Sequence, residues 1–171
     1  MSETPALNSD QQGLPTIHLV PMKPDEFEPF MDLSMREQAE GQVQTGRWGP
    51  EEADALIQSL RKKLLPNGLD TPHHYFFTLE KMDTGEKAGV LWFTVEEEAG
   101  EKALFVMDIQ VYPPFRRQGL ATQAFELMEL EARKMEVPAI RLHVFRENRG
   151  ARSLYEKLGY AGTDELMVKR L

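Results

Sequence analysis

The chain has 171 residues, 41% hydrophobic and 28% charged, with a formal net charge of −8, a sequence pI near 5.1 and no cysteine. That length allows one domain with a real core. The lack of cysteine excludes a disulfide framework, a cysteine-ligated metal and a cysteine nucleophile, and the acidic balance argues against nucleic acid as a partner, because such binders carry a basic stripe.

Met1 to Pro15 is polar and aperiodic and reads as a disordered tail before a single domain over 16–171. It has no basic segment followed by an apolar run, as a signal peptide would. No stretch is apolar for the length of a membrane span. The expectation is a cytoplasmic protein with no membrane partner.

Thr16 to Val20 is a strand candidate. Pro24 opens a helix in which Phe27, Phe30, Met31, Ser34, Met35 and Gln38 share one face. Gly41 to Gly49 reads as a loop. Pro50, with Glu51 and Glu52 behind it, starts a second helix with Leu56, Ile57, Leu60 and Leu64 as its apolar face, stopped by Asn67-Gly68. His74–Met82, Lys87–Glu96 and Ala103–Val111 are strands separated by turns at Asp83–Glu86 and Glu97–Lys102, an antiparallel meander. Leu120 to Met135 is an amphipathic helix with Arg133 and Lys134 in its last turn. Pro138 ends it, and Ala139–Phe145 is a strand parallel to Ala103–Val111, because a helix crosses between them. Asn148 caps a helix over Arg149–Leu158, Gly159 follows it, and Glu165–Arg170 is a final strand. The fold class is α/β (α+β): a mixed central sheet with an antiparallel N-terminal meander, one parallel pair, and helices on both faces.

Two segments carry chemistry. In VYPPFRRQGLA (Val111 to Ala121), a strand meets a helix through two prolines, two arginines and a glycine. Free N–H groups at a helix start, with Arg116 and Arg117 beside them, suit an anionic phosphate, and Gly119 admits a ligand where a Cβ would intrude. The loop fits neither GxxxxGK followed by Ser or Thr, nor GxGxxG, which disfavours an ordinary ATP or dinucleotide site. The second segment is NRGARSLYEKLGY (Asn148 to Tyr160). Ala151, Leu154, Tyr155 and Leu158 share one helical face there, so Tyr155 points inward.

Arg116-Arg117-Gln118-Gly119-Leu120-Ala121 resembles the coenzyme A pyrophosphate loop of the GNAT superfamily of acyl-CoA N-acyltransferases, Gln/Arg-x-x-Gly-x-Gly/Ala. Asn148, Ala151, Leu154, Tyr155, Leu158, Gly159 and Tyr160 fit that family's second signature, NxxAxxLYxxLG followed by Phe or Tyr. The close resemblance spans about Leu104 to Lys169. It implies an acetyl-CoA-dependent N-acetyltransferase acting on a primary amine by direct transfer in a ternary complex. It implies Tyr155 as general acid for the departing thiolate. The backbone amides of Ile109, Gln110 and Val111 would hold pantetheine, the loop Arg116–Ala121 the pyrophosphate, and Asn148 the pantetheine arm or its waters. Family members often carry a glutamate in the strand before the loop. This chain has Asp108 instead, a candidate base beside His143 in the neighbouring strand. The alternative is a non-catalytic acyl-CoA-binding or sensing module that keeps the loop and lacks the chemistry. The amine acceptor could be a small molecule, a peptide N-terminus or a lysine. No metal is expected: His73 and His74 have no third ligand in view. The chain could work alone or as a homodimer.

Overall fold

The structure is a computed structural model that describes residues 15–98 and 100–163. The tail up to residue 14 and the expected strand Glu165–Arg170 lie outside these residues. Among the described residues five strands form one sheet in sequential order. β1 (Ile17–Pro21), β2 (His74–Lys81), β3 (Lys87–Glu98) and β4 (Glu101–Val111) are antiparallel in succession. β5 (Ala139–Leu142) lies parallel to β4, as a helical crossover requires. Among the described residues no helix is long and apolar enough to cross a membrane.

The strands alternate their side chains between two cores. On one face, Phe76, Val90 and Trp92 pack under α1 (Pro24–Gln44), with α2 (Ala53–Leu64) contributing Ala53 and Ile57. On the other, Leu79, Leu91, Phe93 and Leu104 pack under α3 (Leu120–Lys134), which contributes Leu120, Ala124, Phe125 and Met128. α4 (Arg149–Lys157) lays Leu154, Tyr155 and Leu158 against this second core. The first core is largely aromatic. Phe76 stacks on Trp92 at 5.2 Å, and Phe27 and Phe30 meet them edge-on. The buried Trp92 indole donates to His74 Nδ1 at 3.1 Å, so this ring is occupied internally. Met31, Met35 and Phe93 are core residues in these layers.

Five sequence expectations need correction. The turn expected over Glu97–Lys102 is shorter, because β3 runs on to Glu98 and β4 starts at Glu101, with Glu97 paired to Lys102. α1 does not stop at Gly41 but continues to Gln44. A glycine inside a helix costs about 1 kcal/mol, but here it admits the Phe145 ring: a Cβ on Gly41 would lie 2.7 Å from Phe145 Cε2. Pro50 to Glu52 form a turn, closed by Gly49 N–H donating to Glu52 Oε1, and α2 begins at Ala53. Leu56 and Leu60 are 38% and 37% exposed, because α2 leans on α1 by a narrow edge rather than on the sheet. Arg61 secures that edge, reaching Glu28 at 2.7 Å and Asp32 at 3.5 Å. β5 ends at Leu142, three residues short of Phe145, where its pairing with β4 ends.

The N-terminal end of α1 is fixed by Glu26. Its carboxylate accepts from Lys87 Nζ at 2.8 Å, Thr78 Oγ1 at 3.0 Å and the Lys23 N–H at 3.0 Å. One side chain thus caps its own helix and ties it to β2 and β3. Burial pushes this carboxyl up, but the bonds from Lys87, Lys23 and Thr78 outweigh it and leave the group below the ordinary glutamate range. A depressed carboxylate stabilises the fold above the unfolded-state pKa and loses that effect as pH falls through the folded one. Glu26→Gln is therefore expected to lower unfolding free energy by about 1–3 kcal/mol at pH 7. In urea titrations the gap from the parent should close below about pH 4.

Candidate active site

β4 runs to Val111, but its pairing with β5 ends at Val106 opposite Leu142. From Met107 onward, β4 is paired among the described residues with β3 alone. The register against β3 also slips here: Phe93 faces Val106 and Trp92 faces Asp108, leaving Met107 as the extra residue of a bulge. The bulge turns the end of β4 away from a flat sheet. Ile109, Gln110 and Val111, the expected pantetheine-binding residues, line this one-sided stretch, and all three are half-buried. A cleft therefore opens where the parallel pair separates, between the end of β4 and α4.

The loop after β4 is held in shape by its own side chains. Pro113–Phe115 makes a short 3-10 turn. Arg116 Nε donates to the Val111 carbonyl at 2.8 Å, and Gln118 Nε2 donates to the Pro114 carbonyl at 3.2 Å. These two side chains brace the loop, so Arg116 is not the freely mobile cation expected from the sequence. Arg117 takes φ 62° and Gly119 φ 77°, both left-handed, which turns successive N–H groups to one side. Gly119 is the N-cap of α3 and offers no capping side chain. The N–H groups from Arg117 through Thr122 find no acceptor among the described residues. A Cβ on Gly119 would meet nothing within 4 Å, so the space above the helix end is open. Leu120 is buried in the core and can contribute only its N–H, and Ala121 is half-buried. Open space, free donors and the positive helix end together make an anion cradle.

The second motif folds as a helix with both ends specified. Asn148 Oδ1 accepts from the Ala151 N–H at 3.1 Å, as an N-cap does. At the other end Gly159 takes φ 89°, its N–H donates to Glu156 O, and the Tyr160 N–H donates to Tyr155 O at 2.9 Å. That is a Schellman stop, and its usual apolar contact is present between the two tyrosines, whose ring centres lie 6.0 Å apart. Both rings meet Phe125 of α3 edge-on, at 5.4 and 5.7 Å. Tyr155 is thus held by the helix stop and by α3; beside it, the Tyr160 hydroxyl is buried and has no hydrogen-bond partner among the described residues.

Asp108 sits at the bulge. Gln110 Nε2 donates to its Oδ2 at 3.2 Å, and Ser34 of α1, itself 5% exposed, is a further hydrogen-bond partner. The same Gln110 nitrogen donates to Glu37 Oε2 at 2.9 Å. Glu37, one turn beyond Ser34 on α1, escaped the sequence reading. Nothing in the sequence marks an exposed helical glutamate as a neighbour of a strand carboxylate. The Gln110 side chain also matters, where its backbone alone was expected to. His143 stands just past β5, exposed, with its ring edge-on to Phe105 at 5.1 Å.

A family model described as the acetyltransferase (GNAT) family matches residues 30–160. The chain belongs to the GNAT family. It is 38% identical over 156 residues to YycN of Bacillus subtilis, an uncharacterized N-acetyltransferase, covering 91% of this chain and 99% of that one. It is 34% identical over 150 residues to a second Bacillus subtilis N-acetyltransferase, YdgE, covering 88% and 95%. The crystal structure of YycN superposes with a TM-score of 0.84 over the same 91% and 99%. An acetyl transferase structure from Pyrococcus furiosus, 21% identical with a TM-score of 0.64 and 91% and 99% coverage, shares the fold. The mixed sheet with β4 and β5 parallel is the GNAT architecture, and the chain is accordingly an acyltransferase.

In this GNAT chain the cleft groups lie in each other's field. Burial pushes the Asp108 carboxyl above the usual carboxylate range, and the charge of Glu37 pushes the same way; the bonds from Ser34, Gln110 and the Ile109 backbone only partly offset them. Burial, then the charge of Asp108, pushes the Tyr155 hydroxyl above the ordinary tyrosine value, so it keeps its proton at neutral pH. Among the described residues no group of three or more His, Asp or Glu is arranged to hold a metal ion.

The raised Asp108 carboxyl has a cost for the fold. The folded protein holds this proton more tightly than the unfolded chain, so ionising Asp108 opposes folding once pH exceeds the ordinary carboxylate value. Asp108→Asn is expected to raise Tm at pH 8 by about 2–4 °C, the shift that ~1 kcal/mol produces at this chain length. The gain should shrink as pH falls and vanish below about pH 4. Calorimetric scans across that range check it.

Proposed function

We propose that this chain transfers an acetyl group from acetyl-CoA to a primary amine by direct attack within a ternary complex. The observation that carries the reading is the meeting of Asp108 and Tyr155 in the cleft where β4 leaves β5: one group able to accept a proton, the other able to donate one. The anion cradle at Arg117–Thr122 supports coenzyme A as donor, with its pyrophosphate over Gly119. Ile109, Gln110 and Val111 would hold pantetheine along the one-sided end of β4, with Asn148 at the head of α4 beside it.

An alkyl ammonium has a pKa near ~10.4 and must lose a proton before it can attack. Asp108 takes that proton, directly or through a water. The amine nitrogen adds to the thioester carbonyl, and the oxyanion is met by backbone N–H donors at the end of β4. As the carbon–sulfur bond breaks, the adduct nitrogen gives up its second proton to water and Tyr155 gives its own proton to the sulfur, leaving a neutral amide and a free thiol. After the products leave, Asp108 releases its proton to solvent and Tyr155 regains one. With no cysteine in the chain, no acyl-sulfur intermediate on the protein can form.

Tyr155→Phe should fold, bind acetyl-CoA with unchanged affinity, and lose about 10²-fold or more in kcat with little change in KM. The chain has no thiol, so released coenzyme A can be followed with a thiol reagent without background. A near-parental kcat, measured where product release is not limiting, would return Tyr155 to the core. Gly119→Val should weaken acetyl-CoA binding by calorimetry without unfolding the protein, since the residue must hold φ 77° beneath the phosphates. Binding of acetyl-CoA with no turnover on any amine of a broad panel would favour the acyl-CoA-binding module instead.

A further inference from the structure

Glu37 and Asp108 come from different elements, α1 and β4, yet both accept from Gln110 Nε2. A side-chain amide nitrogen has two hydrogens, so it can serve both oxygens at once. Rotating the amide would point its oxygen at two carboxylates, so the charges fix its orientation. All of Gln110's donor capacity goes into this bridge. Ser34, one turn earlier on the same face of α1, completes the hold on Asp108.

We propose that Glu37 is the positioning residue for Asp108: through the shared Gln110 amide it aims the Asp108 carboxylate into the cleft and governs when that carboxylate holds a proton. The inference rests on Asp108 as the base. Two neighbouring carboxylates in a partly enclosed site cannot both ionise freely, and the more enclosed one is held back. Glu37 is exposed, whereas Asp108 is walled by α1, β3 and α4. The groups facing Asp108 are consistent with this. α1 presents Ser34 and Glu37, β3 presents the uncharged Trp92, β4 itself presents Gln110, and α4 presents the neutral Tyr155. Among these groups Glu37 supplies the negative field, and no cation is there to counter it.

The test is a carboxyl-carbon NMR titration of Asp108 in the intact chain, with its signal assigned by loss in Asp108→Asn. In Glu37→Gln the Asp108 midpoint should fall by about one pH unit, because the repelling charge is gone. Glu37→Asp, which keeps the charge on a shorter stem, should restore part of the shift. An unmoved midpoint in folded Glu37→Gln overturns the proposal. The acidic limb of the kcat/KM profile, recorded on the same variants, separates this inference from the one beneath it. A limb that follows the NMR midpoint downward supports both. A midpoint that moves under a stationary limb sustains the Glu37–Asp108 coupling and removes Asp108 as the base.

Discussion

A β-strand that loses a neighbour part-way along exposes a row of backbone donors and acceptors that something must satisfy. In this protein β4 loses β5 after Val106 and runs on to Val111. The site depends on that separation. It opens the cleft, gives Ile109, Gln110 and Val111 a free side, and leads directly into the braced loop whose N–H groups remain available. The bulge at Met107 reorients the strand there, so that Asp108 faces a different surround from the one strict alternation would give it. Both cores then have the task of holding the two sides of the opening: α1 on one face of the sheet, α3 and α4 on the other.

What could be read from the sequence was what is local. NRGARSLYEKLGY encodes its own helix start, inward face and stop within thirteen positions, and each is realised: Asn148 caps, Tyr155 turns in, and Gly159 closes the Schellman turn. The strand–loop–helix around Gly119 was legible for the same reason. The partnership of Glu37 with Gln110 spans 73 positions and joins a helix to a strand, with no periodicity that could announce it. Arg116 shows another gap: its charge was legible, but not that its Nε would brace the loop through the Val111 carbonyl. Leu56 and Leu60 fit a helical face by spacing, yet which part of that face meets another layer is a tertiary matter.

Two carboxylates show how differently one chemical group can be used. Glu26 is almost covered and carries a full set of donors, including an ammonium, so its charge works for the fold. Asp108 is also covered, but its donors are neutral and its nearest charge has the same sign. A carboxylate of the second kind works against the fold once it ionises, because burial takes it from water and no cation among the described residues compensates its charge.

The contact between Gly41 and Phe145 sets a dimension. α1 touches the segment between β5 and α4 through a bare backbone against the edge of an aromatic ring, one turn past Glu37. One added carbon at position 41 would force the ring or the helix to move. The distance between α1 and that segment is thus gauged by the absence of a single methyl group. A side chain at position 41 would act as a spacer between α1 and that segment, and because Glu37 lies one turn earlier on the same rigid helix, its carboxylate would be carried along.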